Sequence, residues 1–293
     1  MIDVNQLTMI YPSGKGIFDI DFKIKQGGVL GYLGPNGAGK TTTIRCLLGF
    51  TKPDSGFCRI SGLDCVKDAP QIQKFLGYIP GEIAFLDGMT GNEFLKFMGQ
   101  MRHMNDFSRQ KELIERFDLD PRREIKKFSK GMKQKLGIVT AFMHDPEVLI
   151  LDEPTSGLDP LMQNRFVELI LEQKKAGKTI LMSSHIFEEI ERTCDEVIII
   201  KDGRLVEKSE VGVLGGTQRK AYQVKFRHAE DIKRFAAQNF TVEQVTGNTA
   251  KITVKGEEVD RLIKALAAFD LEAMESKAQT LEEIFLNYYE SEG

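Results

Sequence analysis

Gly34-Pro35-Asn36-Gly37-Ala38-Gly39-Lys40-Thr41 fits the pattern GxxxxGK[ST] at every fixed position. The glycines let the backbone wrap closely round phosphate oxygens with its amide N–H groups turned inward. A helix that follows such a loop presents the positive end of its dipole to the same anion. In that arrangement Lys40 holds the β and γ phosphates of a nucleotide, and Thr41 gives its hydroxyl to Mg²⁺. Residues 29–33 are an apolar run that stops at the loop, and residues 40–49 have a helical pattern. Strand, glycine loop and helix make the βα unit of a parallel α/β sheet. A glycine turn without chemistry is the plainer reading, and its seat between strand and helix weighs against that.

A second apolar strand, residues 148–151, ends in Asp152-Glu153. A hard cation beside bound phosphate needs oxygen ligands at such a strand end, and Asp152 supplies one. Glu153 then points where a water attacking the γ phosphate would sit, as base or water-positioner. Alone, two acids after a strand are usually solvated; beside a phosphate loop they are informative.

Further outward, residues 2–11 and 16–24 read as strands joined by the turn at residues 13–16, the second with period-2 alternation. Residues 90–127 look like a helical insertion. Phe94, Phe97, Met98 and Met101 form the stripe of a helix capped by Thr90, and Leu113, Ile114 and Phe117 mark another. Such a stripe is more often core than a docking face. Strands return at residues 179–183 and 196–201, with helices at 161–175 and 186–193. Residues 214–217 read as a linker. Beyond it the order β-α-β-β-α-β, with a hairpin around Gly247-Asn248 and a closing helix at residues 281–289, resembles a small ferredoxin-like α+β domain. The expected division is therefore an α/β domain at 1–215, with its helical part at about 85–135, and an accessory domain at 217–293.

The 43 acidic and 40 basic residues give a net charge of -3, and the tail alone carries 11 basic and 13 acidic residues. Neither balance suits a chain that coats nucleic acid. The four cysteines form no CxxC pair, so reduced thiols are expected rather than a disulfide framework. No stretch approaches ~18 consecutive apolar residues, and the first residues lack the regions of a signal peptide. A cytoplasmic protein is expected, meeting any membrane through a partner.

Ser129-Lys130-Gly131-Met132-Lys133-Gln134 lies 89 residues after Lys40 and 23 before Asp152. It resembles the signature sequence of the ATP-binding cassette (ABC) family. Ser156-Gly157-Leu158-Asp159 is similar to that family's D-loop, and Ser183-Ser184-His185 to its switch-histidine loop. Tyr11 matches the aromatic that stacks on adenine. The resemblance spans residues 1 to about 210. It implies a P-loop ABC cassette with a parallel sheet core, an N-terminal antiparallel β subdomain and a helical insertion. It implies that Tyr11, Asn36, Gly37, Gly39, Lys40, Thr41 and Thr42 bind ATP, that Thr41 and Asp152 hold Mg²⁺, and that Glu153 and His185 are catalytic. It also implies that Ser129, Gly131 and Asp159 serve an ATP held by a second cassette, so that two copies, or a copy and a relative, sandwich two ATP molecules. Separately encoded membrane permease subunits would then be the partners, with no nucleic acid, and the chain would sit on the inner face of the membrane.

Two departures stand out. Where many cassettes carry a glutamine after a segment like Gly77-Tyr78-Ile79-Pro80, this chain has Gly81 and then Glu82, a candidate substitute. In the signature, Lys130 and Met132 replace glycine and glutamine, while Ser129 and Gly131 remain. Thr280-Leu281-Glu282-Glu283-Ile284-Phe285-Leu286 is similar to the ending of drug and antibiotic exporters, which favours export. An ABC ATPase acting on a ribosome or DNA is a second reading, opposed by the single cassette and the lack of long coiled coils or a basic arm. A nucleotide-gated module without hydrolysis is a third, opposed by Glu153 and His185.

Overall fold

Strands with no polar face must be covered on both sides, and β3 (Val29–Leu33), β7 (Val148–Asp152) and β8 (Thr179–Ser183) are buried along their whole length. The computed structural model describes residues 1–86, 88–211, 220–238, 240–254, 258–277, 281, 282 and 285. With β6 (Leu76–Ile79), β9 (Glu196–Lys201) and β10 (Arg204–Glu210) these strands form a six-stranded sheet of order β10-β9-β3-β8-β7-β6. β3 runs parallel to β8 and β9, and β7 parallel to β6 and β8. Chain connections run through α1 (Lys40–Leu47) after β3, α6 (Pro160–Lys175) between β7 and β8, and α7 (Phe187–Thr193) between β8 and β9. The register sets Tyr32 and Asp152 on either side of Ser183.

β1 (Ile2–Ile10), β2 (Gly16–Ile24), β4 (Ser55–Ile60) and β5 (Leu63–Asp64) form an antiparallel sheet of order β2-β1-β4-β5. Its Ile2, Val4 and Leu7 share one core with Leu30, Tyr32, Ile150 and Leu181 of the parallel sheet. β4, β5, β6, β10 and α2 (Ala69–Phe75) are elements that the sequence reading does not give.

Helices α3 (Gly91–Met101), α4 (Ser108–Arg116) and α5 (Lys130–Phe142) make the helical part. Thr90 caps α3 as expected: its hydroxyl accepts from Glu93 N at 3.3 Å, and the Glu93 carboxylate accepts from Thr90 N at 2.8 Å. The core reading of the α3 stripe holds for Phe94, which meets Phe85 edge-on at 5.0 Å. It fails for Phe97 and Met101, which are 37% and 65% exposed. α5 starts at Lys130, with Ser129 as its cap.

The chain divides into two compact units, Met1–Lys208 and Ser209–Gly293. In the second, β11 (Lys220–Phe226), α8 (Ala229–Ala236), β12 (Thr241–Thr246), β13 (Thr249–Val254), α9 (Val259–Leu266) and β14 (Leu271–Lys277) follow one another. Their antiparallel sheet has the order β12-β13-β11-β14, the split βαβ arrangement of ferredoxin-like domains. Val224, Phe226, Phe235, Ile252 and Leu262 form its separate core. The linker expected at residues 214–217 lies outside the described residues, as does most of the closing helix expected at 281–289.

His144, just beyond α5, places Nε2 3.2 Å from the Leu76 carbonyl, and its Nδ1 is buried without a partner. Burial and then the nearby Arg102 charge push its imidazole down to about 4. The unfolded chain takes that proton near ~6.5, so the site's contribution to stability is full above that pH and is lost as pH falls towards 4. His144→Gln keeps a donor for the carbonyl and removes the titration. Thermal melts at pH 7 and pH 5 should show a smaller drop in Tm for this variant than for the parent.

Candidate active site

Loops that leave adjacent parallel strands at their carboxyl ends meet over one edge of the sheet. Since β8 lies between β3 and β7, the loops after all three converge around Ser183. The phosphate loop leaves β3 and closes at Gly39, the α1 N-cap, with φ 111°. A Cβ there would stand 2.7 Å from Ile17 Cγ2, so conformation and space both demand glycine. Lys40 is only 7% exposed, and its ammonium donates to the carbonyls of Gly34 at 2.6 Å and Pro35 at 3.2 Å. Burial lowers its pKa, while the charges of Glu153 and Asp152 work against that.

Thr41 Oγ1 donates to Asp152 Oδ2 at 2.9 Å, and Ser183 Oγ donates to Asp152 Oδ1 at 2.5 Å. Glu153 has φ 50°, a left-handed backbone that a side-chain-bearing residue adopts only when its surroundings impose it. Its amide is held by Ser183 Oγ at 3.1 Å and Ser183 O at 3.2 Å. The Glu153 carboxylate meets His185 Nδ1 through Oε2. Gln134 of α5 donates to Pro154 O at 2.6 Å, fixing the chain just after the two acids.

A cleft of ≈ 420 Å³ opens over these groups. Asn36, Gly37, Gly39, Lys40, Thr41 and Thr42 line it from the phosphate loop and α1, Asp152 from the end of β7, Glu153 from just beyond it, and Tyr11 from just beyond β1. Nothing stands within 4 Å of a Cβ on Gly37, so the loop leaves room for a bulky anion. Ser13, Lys15 and Gly16 also line the cleft, although the sequence reading took them only as a turn. A lysine two residues past a glycine-bordering serine beside Tyr11 was the available signal. Gly81 lines it too, with its Cβ position 3.2 Å from Asp152 Oδ2, whereas Glu82 is exposed and outside it.

Ser129, Gly131 and Asp159 do not line this cleft. Ser129 caps α5, its hydroxyl accepting from Met132 N at 3.2 Å, and Asp159 caps α6, accepting from Met162 N at 3.0 Å. The two caps are neighbours, since a Cβ on Gly131 would stand 2.8 Å from Gly157 O. Among the described residues no group of three or more His, Cys, Asp or Glu forms a metal cage. One hydroxyl and one carboxylate, Thr41 and Asp152, suit Mg²⁺ held chiefly through nucleotide phosphates.

Residues 17–156 match the family model described as "ABC transporter". The bacitracin transport ATP-binding protein BcrA of Bacillus licheniformis is 41% identical over 211 residues, covering 71% of this chain and 69% of that protein. The chain belongs to the ABC transporter family. The cassette's similarity to the daunorubicin resistance ATP-binding protein DrrA3 of Streptomyces coeruleorubidus is 30% identity and covers 98% of this chain and 95% of that one, second unit included. A solved structure of an ATP-binding subunit of an ABC transporter superposes with TM-score 0.68 at 32% identity, over 73% of this chain and 91% of that one. The chain is thus similar to the ATP-binding subunits of that family.

Lys40→Ala removes a charged partner for phosphate and should weaken ATP binding by about 10- to 100-fold. Titration with a fluorescent ATP analogue reads this directly, and parental affinity would take Lys40 out of the phosphate site.

Proposed function

We propose that two copies of this chain, or a copy and a relative, close head to tail around two ATP molecules and drive export through separate membrane permeases. The hydrogen-bonded pair Glu153–His185 beside Lys40, Thr41 and Asp152 carries the reading. Lys40 and the α1 N-terminus hold the β and γ phosphates, Tyr11 stacks on the base, and Thr41 with Asp152 would hold Mg²⁺, which would offset charge on the transferred group. Glu153 accepts the proton of the attacking water, and His185 keeps the carboxylate aimed at it. The signature tip supports the paired form. Ser129 and Gly131 offer hydroxyl and amide donors at an exposed helix start, outside their own chain's cleft, where a partner's γ phosphate would find them. Cleaving that phosphate removes contacts that hold the pair together, so chemistry becomes motion.

Among the described residues no helix is long and apolar enough to cross a membrane. The exposed Phe97 and Met101 on α3 supply an apolar face for a permease, holding the cassette on the cytoplasmic side of the membrane. The names of the bacitracin and daunorubicin relatives support an amphiphile as cargo and export as the direction.

Glu153→Gln should leave ATP binding intact and slow turnover by about 10²- to 10⁴-fold, with an ATP-bound dimer accumulating on gel filtration. Unchanged turnover would remove Glu153 from its role, and a parent chain without ATP turnover would leave a nucleotide-gated module instead. Phe97→Ser with Met101→Ser should keep the ATPase rate of the isolated chain and lose co-purification with the permease from solubilised membranes. Retained co-purification would move the docking face elsewhere.

A further inference from the structure

Glu189, in the first turn of α7, is a carboxylate with only 4% of its surface exposed. Its Oε2 accepts the hydroxyl of Thr155 at 3.0 Å and that of Ser184 at 3.0 Å, while Oε1 has no partner. Burial raises its pKa, and the two hydroxyls work in the opposite sense. The two donors sit in different loops. Thr155 stands two residues after Glu153, and Ser184 immediately precedes His185. Ser184 Oγ also accepts the Ile186 amide at 3.0 Å, which leaves its own hydrogen directed at the carboxylate. A buried carboxylate is costly where an apolar side chain would pack freely. A group that carries this cost and bridges the two loops flanking the reacting pair has a function beyond filling space.

We propose that Glu189 is a positioning residue for ATP hydrolysis: it ties the loop of Glu153 to the loop of His185 and so sets the geometry of that pair. The proposal rests on the functional reading above. Glu189 does not line the cleft; it acts through Thr155 and Ser184. The acceptor oxygen is what matters, because both loops hang from Oε2 alone.

The test uses the full-length chain and compares Glu189→Ala, Glu189→Gln and Thr155→Val by steady-state ATP turnover and by equilibrium binding of a fluorescent ATP analogue. Glu189→Ala should lower kcat by about 10- to 100-fold, because misplaced reacting groups cost that much, with KM for ATP and analogue affinity unchanged. Thr155→Val, nearly the same shape, should lower kcat in the same direction with KM again unchanged. Glu189→Gln should restore most of kcat, since its amide oxygen can accept both hydroxyls and its NH₂ replaces the unpartnered Oε1. If Glu189→Ala does not fold, Thr155→Val and Glu189→Gln decide. Parental kcat in Glu189→Ala and Thr155→Val overturns the proposal. So does a kcat loss matched by an equal loss of analogue affinity, or a Glu189→Gln as slow as Glu189→Ala. Should the parent turn over ATP and Glu153→Gln not, with the Glu189 and Thr155 variants like the parent, only this inference fails and the functional reading stands.

Discussion

The hydroxyl of Ser183 donates to Asp152 at 2.5 Å and accepts the amide of Glu153 at 3.1 Å. These two bonds join the ends of β7 and β8 and give the acidic pair its divided orientation. Asp152 continues the strand and faces Thr41. Glu153 turns into left-handed backbone, so that its side chain leaves the sheet and reaches His185. Without that bend the two neighbouring acids would point to opposite faces of a strand, as successive residues do. The ion-binding and water-handling groups of one site come from adjacent positions because the backbone breaks its period between them.

The sheet order makes this arrangement possible. Placing β8 between β3 and β7 sets the phosphate loop, the acids and the histidine loop on three adjacent strand ends. The phosphate loop and the acids then share one cleft, and His185, which does not line it, reaches it through its contact with Glu153. Loops carry the reactive side chains, and the fully buried strands beneath them supply rigidity.

Much of this was legible in the sequence. The strands at residues 29–33, 148–151 and 179–183 announce themselves as short apolar runs because burial on both faces leaves few polar positions. The phosphate loop is legible because its backbone demands glycine at fixed places. The split βαβ unit followed from the hairpin at Gly247-Asn248 and the β-α-β-β-α-β order around it. What escaped notice lacks such a signal. β4 and β10 are half exposed and interrupted by charged or small residues, and β6 follows α2 with no turn residue between them. Phe97 and Met101 obey helical spacing and still face outward, because periodicity gives a shared face but not what covers it. Glu189 reads as one more acid in the run Glu188-Glu189. Only the fold shows that one of the pair is buried and the other is not.

Val29 pairs with Ile180 and Leu30 with Glu196, so the strand that launches the phosphate loop finds its neighbours only after some 150 further residues have been made. Pairings this distant in sequence form late and slowly. During synthesis the glycine loop therefore leaves the ribosome long before the serine and histidine that complete its surroundings. A nascent chain bears the loop on an unpaired apolar strand, exposed to premature association. The groups that complete the site thus come together only once β8 has been made and has paired between β3 and β7.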